Sequence, residues 1–305
     1  MTNLRQFSAT LAIVLLTFVV GHSTAHVKPK SAKGHLFIIG GGKRTPEMMR
    51  RFIELAGGSE KAKIVVIPMA SSIPDTVGLE QVQQLKTLGL KDGTFILLNR
   101  EEALAESTLA RFNGVTGIFF SGGDQSRLTA IMNGTPLLRK LKQLYLDGAV
   151  IGGTSAGAAI MTAMMITGKE HLSRDTNNAY AFIRRGNIET TEGFGFIQDA
   201  IVDQHFIRRK RHNRLLSLVL EHPELLGIGI DEATAIIVTP KRTFEVVGEG
   251  TVMVFDAHKV RNISTDKNGN LSAANITMHL LAAGDSFIFD TRQPITKPVI
   301  HESKH

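Results

Sequence analysis

Short apolar, β-branched runs alternate with amphipathic stretches from residue 35 onward. "HLFIIGGG" (35–42) reads as a strand covered on both faces, since a short continuous apolar run ending in turn residues suits a parallel sheet. "TPEMMRRFIELAGG" (45–58) predicts a helix with Thr45 as cap, Pro46 in the first turn and Gly57-Gly58 at the end. The alternation continues with "KIVVIPMA" (63–70) as strand, "GLEQVQQLKTLGL" (78–90) as helix, "TFILL" (94–98) as strand and "EEALAESTLARFNG" (101–114) as helix. "VTGIFFSGG" (115–123) and "GAVIGGTSAG" (148–157) are further apolar runs ending in glycine, and "AGAAIMTAMM" (156–165) predicts a helix.

This pattern predicts a doubly wound, mainly parallel α/β sheet with helices on both faces, whose functional groups lie beyond the carboxyl ends of the strands. The glycine clusters fall there. After about residue 230 the pattern changes to strands: "AIIVT" (235–239), "TFEVVGEGTVMVFDA" (243–257) and "NISTDKNGNLSAANITMHLL" (262–281), the last with Asn268-Gly269 as a hairpin turn. Residues 169–192 are polar and without period, hence either a lid or a surface loop.

The first residues stand apart. Arg5 is the only charge before Lys28, residues 7–20 are an apolar run, and Ser23 and Ala25 are small. These features predict a secretory signal peptide over 1–25, cleaved after Ala25, with a single α/β domain over 26–305 and a periplasmic or secreted destination. An uncleaved anchor is the alternative, but the run is short for a bilayer span of about 20 residues. Loss of Arg5 would take the formal charge from +7 to +6. The chain has no cysteine, so neither disulfides nor a lipid-modified cysteine is available to it.

The sharpest chemical motif is Gly153-Thr154-Ser155-Ala156-Gly157, a G-x-S-x-G between a buried strand and a small-residue helix. That context describes a nucleophile elbow, with Ser155 as nucleophile and the Ala156 amide as oxyanion donor. Gly123, in the strand-end pair of "FFSGGDQ", is a second oxyanion candidate, and Gln125 would project toward the same pocket.

Among eleven histidines, His205 follows an apolar run ("FIQDAIVDQHF") and precedes a helical one, so it is the candidate base. Its acid is Glu232 in "GIGIDEATA", with Asp231 as a plausible neighbour and Glu170 as the rival. "GGGKRT" (40–45) lacks the spacing of a phosphate loop.

"GIFFSGGDQ", "VIGGTSAGAAIM", "DQHFIRRKRHNRLL" and "GIGIDEATA", in this order, resemble the cyanophycinases of the S51 serine peptidases over about residues 34–260. The resemblance implies a flavodoxin-like fold related to class I glutamine amidotransferases, with no metal or organic cofactor and a homodimer as the family's usual state. It implies hydrolysis of cyanophycin, a poly-aspartate carrying arginine on each β-carboxyl, to β-Asp-Arg dipeptides. Ser155, His205 and Glu232 take the catalytic positions, and Gln125, Asp203, Gln204, Arg209, Arg211 and Arg214 match the substrate pocket. Relatives of the dipeptidase E type place the acid near Glu170. A leader departs from members that act inside the cell.

The basic run 208–214 then invites two readings. At about 100° per helical residue, Arg209 shares a side with Leu216 and Leu220, where a buried charge needs a partner such as a substrate carboxylate. Arg208 and Lys210 read as ordinary surface charges. A nucleic-acid patch is disfavoured because the chain has no Trp, two Tyr and no aromatic residue suited to stack bases within the run.

Overall fold

β1 (Leu36–Ile39), β2 (Lys63–Ile67), β3 (Asp92–Phe95), β4 (Gly117–Phe120) and β5 (Val150–Thr154) lie parallel, in the spatial order β3-β2-β4-β5-β1. The computed structural model describes residues 32–172 and 180–296, so the expected signal peptide lies outside the described residues. Every residue of β1, β4 and β5 is buried, as expected of strands with helices on both faces. The run β3-β2-β4-β5 reproduces the 2-1-3-4 part of the flavodoxin-like order. β1, the first strand among the described residues, takes the fifth place.

Successive side chains of β4 serve opposite layers, the consequence of the two-residue strand period. Phe119 packs with Phe52, which also meets Phe37, in edge-to-face pairs with centroids 5.4 and 5.7 Å apart. Phe120 meets Phe194 on the other side at 5.5 Å. The covering helices are α1 (Pro46–Leu55), α2 (Pro74–Thr87), α3 (Arg100–Leu104), α4 (Glu106–Ala110), α5 (Gln125–Met132), α6 (Pro136–Asp147) and α7 (Ala156–Ala159). Thr45 caps α1 as expected, its Oγ1 accepting from Met48 N at 3.3 Å. The single helix expected over 101–114 is instead α3 and α4. They are separated by extended Ala105, and an Asn99/Glu102 capping box starts the first.

The helix expected over 156–165 ends after Ala159. Phe194 N and Ile197 N donate to the carbonyls of Ile160 and Met161, at 2.7 and 3.0 Å, where a longer helix would place its own next turn. The chain then forms β6 (Met164–Glu170), antiparallel to β7 (Ile188–Glu192). Both described ends of the 169–192 segment are therefore paired strand and its neighbours, and residues 173–179 lie outside the described residues.

β8 (Ala200–Gln204), α8 (His212–Glu221) and β9 (Leu226–Ile230) make a parallel crossover unit. The expected C-terminal strands follow as β10 (Thr234–Val238), β11 (Thr243–Gly248), β12 (Val252–Asp256), β13 (Ser264–Thr265), β14 (Leu271–Ser272), β15 (Thr277–Leu281), β16 (Ser286–Ile288) and β17 (Gln293–Ile295). β10, β11, β16 and β17 extend the main sheet antiparallel beyond β1 to nine strands, while β15-β12-β9-β8 form a second sheet. The β13/β14 hairpin is the one signalled by Asn268-Gly269. Because β9 belongs to the second sheet and β10 to the main one, residues 231–233 cross the seam between them.

Candidate active site

The loops that end β1, β4, β5 and β8, with the β9–β10 crossing, meet at that seam. Ser155 directly follows β5 with φ 54° and ψ −109°, a left-handed conformation that non-glycine residues rarely hold. Its N–H donates to Ile39 O at 3.1 Å, and Gly157 N donates to Ser121 O at 3.1 Å, so the turn is pinned to strands on both sides. A side chain at position 153 would put Cβ 2.2 Å from Gly157 O, which is why the elbow needs glycine there. Ala156 is the first residue of α7, and its amide has no acceptor within the helix. It is free in that sense to serve an oxyanion.

His205 stands at the end of β8, with its N–H donating to Gly40 O at 2.6 Å. Its Nε2 lies 2.8 Å from Ser155 Oγ and its Nδ1 2.6 Å from Glu232 Oε1. The imidazole lies against Gly41, where a Cβ would approach the ring to 2.3 Å. Ala233 N donates to Gly41 O at 2.9 Å and so ties the loop carrying Glu232 to the same glycine turn. The two other carboxylates considered are elsewhere. Glu170 accepts from Tyr180 N at 2.9 Å and Asn187 Nδ2 at 3.2 Å, and Asp231 accepts from Arg208 N at 2.9 Å.

Burial lowers the His205 pKa from the ordinary imidazole value, and Arg209 and Arg211 push it the same way against the opposing bond from Glu232. The hydrogen bond from His205 lowers the Glu232 pKa, with Arg209 and Arg208 assisting. Glu232 is therefore an ionised acceptor near neutral pH, and the neutral imidazole must carry its proton on Nδ1. Nε2 is left as a lone-pair acceptor for the Ser155 hydroxyl proton. This arrangement can generate an alkoxide nucleophile.

A cleft of about 390 Å³ opens beside Ser155 and His205, lined also by Gly41, Gly42, Arg44, Val77, Glu80, Gln81, Gly122, Thr154 and Arg209. The structure separates the other expected pocket residues. Arg209 does line the cleft, but it is exposed and lies outside the helix, which begins only at His212 after a turn in which Lys210 has φ 52°. The expectation of a buried Arg209 on a helix face is thus corrected.

The buried arginine is Arg214, 1% exposed, and its guanidinium is taken by Asp203, also 1% exposed. Tyr180 OH accepts from Arg214 Nη1 at 2.8 Å, and the Tyr180 ring lies under the guanidinium. Arg211 Nη1 donates to the backbone and side-chain oxygens of Gln204 at 2.8 and 2.5 Å. Burial, with the neighbouring Arg214 charge, lowers the Arg211 pKa to about 10. Asp203, Gln204, Arg211 and Arg214 thus form one protein-internal network behind His205.

Gln125 is likewise internal. Its Nε2 donates to Ile166 O and Thr167 O at 2.9 and 2.8 Å and fastens β6 to α5. Of the glycine pair, Gly122 is the one against the nucleophile, with a Cβ position 3.3 Å from Ser155 Cβ, whereas Gly123 packs on the backbone of Ala70 and is absent from the cleft lining. Arg208 and Lys210 are exposed, as expected. Arg44, Glu80 and Gln81 were not anticipated. The visible signal was "GGGKRT" at a strand end, which places Arg44 just beyond the glycines that face His205 and Glu232.

A serine on a strand-to-helix elbow, bonded to a histidine and through it to a carboxylate at the strand ends of an α/β sheet, defines a serine hydrolase. Residues 36–246 match the model of peptidase family S51. The chain belongs to that family and is a serine peptidase. It is 37% identical over 269 residues to a cyanophycinase of Synechococcus elongatus, covering 86% of this chain and 81% of that protein. A cyanophycinase of Geminocystis herdmanii is 35% identical over 271 residues, with 86% and 96% covered. The crystal structure of a peptidase from an acI-B1 Actinobacterium superposes with a TM-score of 0.61 at 25% identity, covering 85% of this chain and 98% of that one.

Proposed function

We propose that this chain hydrolyses cyanophycin as a serine exopeptidase, releasing β-Asp-Arg dipeptides, and that it does so after export. The observation that carries the reading is the continuous Ser155–His205–Glu232 hydrogen-bond relay, open to a charged cleft, in a chain with cyanophycinase relatives. His205 Nε2 takes the hydroxyl proton as Ser155 Oγ attacks an aspartyl backbone carbonyl. The carbonyl oxygen becomes an oxyanion facing the Ala156 amide, and Glu232 holds the imidazolium that forms. The tetrahedral intermediate collapses as His205 gives that proton to the leaving amine. Water, deprotonated by His205, then releases the acyl group and restores Ser155.

Each substrate repeat presents a guanidinium and a free carboxylate, because arginine is attached through its α-amine. Arg209, exposed at the cleft beside His205, is the group that would take the carboxylate. Incubating the purified protein with cyanophycin and weighing the soluble products tests the reading. Dipeptide mass with wild type and none with Ser155→Ala is expected. Cleavage of free aspartyl dipeptides but not of the polymer would replace it with a dipeptidase assignment. N-terminal sequencing of the protein from culture fluid or periplasm tests export, with a terminus after Ala25 expected.

A further inference from the structure

We propose that Glu80 receives the guanidinium of the substrate's arginine and thereby sets the side-chain specificity of the cleft. This rests on the reading of the substrate given above and adds the residue that recognises its cationic half. Val77, Glu80 and Gln81 stand at i, i+3 and i+4 on α2, so one helix face forms the cleft wall. Gln84, one turn further, fixes the neighbouring Arg44 by accepting from its Nε and Nη2 at 3.2 and 3.1 Å.

The charges in the cleft divide unequally. Arg44 and Arg209 are cationic, and among the described residues lining the cleft Glu80 is the one carboxylate. Glu80 is exposed and its carboxylate has no ion pair or hydrogen bond among the described residues, and Arg44 feels its charge at longer range. A zwitterionic repeat needs an anion for its guanidinium as well as a cation for its carboxylate. Glu232 is already committed to His205, which leaves Glu80. Gln81, 5% exposed on the same wall, has a side-chain oxygen without a hydrogen-bond partner. Buried acceptors are rarely left unpaired, and a guanidinium with five N–H donors brings more than one carboxylate can use.

The test compares two synthetic oligomers of the polymer, one carrying arginine and one carrying citrulline, which is nearly the same shape without the charge. Wild type is expected to prefer the arginyl oligomer, and Glu80→Gln to lower the ratio of the two kcat/KM values about tenfold, the size of one charge-assisted hydrogen bond. A merely structural role would lower both rates together and leave the ratio where wild type has it. Such an unmoved ratio, or a wild type that cleaves both oligomers equally, overturns the proposal. A wild type that cleaves neither overturns the substrate reading beneath it.

Discussion

Asp203→Asn separates a structural ion pair from a substrate-binding one. Asp203 and Arg214 are each 1% exposed, and both carboxylate oxygens accept from the guanidinium, Oδ2 from Nε at 2.7 Å and Oδ1 from Nη2. Arg211 stands 3.7 Å from the same carboxylate. The substitution keeps the shape and removes the charge, so two arginines at the back of the site lose their shared counter-ion. Breaking a buried pair from one side costs about 3–5 kcal/mol. The amide oxygen still accepts one bond, so the lower end, about 3 kcal/mol, is expected. That is a large part of the roughly 5–15 kcal/mol that holds a domain folded.

Urea unfolding followed by circular dichroism measures it. A double variant, Asp203→Leu with Arg214→Met, is expected to recover part of the loss, because the two fully buried charges leave together while Arg211 keeps its bonds to Gln204. If Asp203→Asn costs under about 1 kcal/mol while raising KM, the pair faces substrate and the structural argument fails.

Other outcomes follow from the same geometry. His205 must be neutral to act as base, and its folded pKa is lowered, so the acid limb of kcat/KM is expected below 6.5 and a limb above that value would contradict the burial of the ring. The same sign applies to stability: a neutral buried imidazole contributes fully above 6.5, and that contribution is lost as pH falls through the lowered value. Glu232→Gln is expected to lower kcat by about 10²–10⁴, since it stabilises neither the Nδ1–H tautomer nor the imidazolium as a carboxylate does. Glu170→Gln should leave kcat within about twofold, because its contacts are with Tyr180 and Asn187 and not with His205. Arg209→Ala is expected to raise KM for the polymer about tenfold with little change in melting temperature, because the side chain is exposed at the cleft.

The alternation of strand and helix was legible because the central strands β1, β4 and β5 are buried on both faces and helices such as α1 on one, while β3 at the edge is largely exposed. The elbow was legible for a local reason: Gly153, Ser155 and Gly157 sit on one turn, and their spacing is a property of consecutive residues. His205 and Glu232 could be named as candidates at strand ends. Their adjacency to Ser155 depends on residues 50 and 27 positions apart meeting where two sheets join. α7 stops short of the helix that its sequence suits, since the backbone carbonyls of Ile160 and Met161 are paired with Phe194 and Ile197.

The basic run shows the same division. Its charge and its place after a strand are properties of the sequence, and Arg209 of that run lines the same cleft as His205. Which arginine faces the cleft was decided by a turn at Lys210 that delays the helix to His212, leaving Arg209 outside and carrying Arg214 inward onto Asp203. Glu80 and Arg44 entered the site through the packing of α2 and the β1 turn beside it. Local order, burial pattern and the elbow are determined by neighbours in the chain, whose spacing sets their geometry. Charge partners across the seam are determined by packing, because a guanidinium pairs with whichever carboxylate the fold brings within reach.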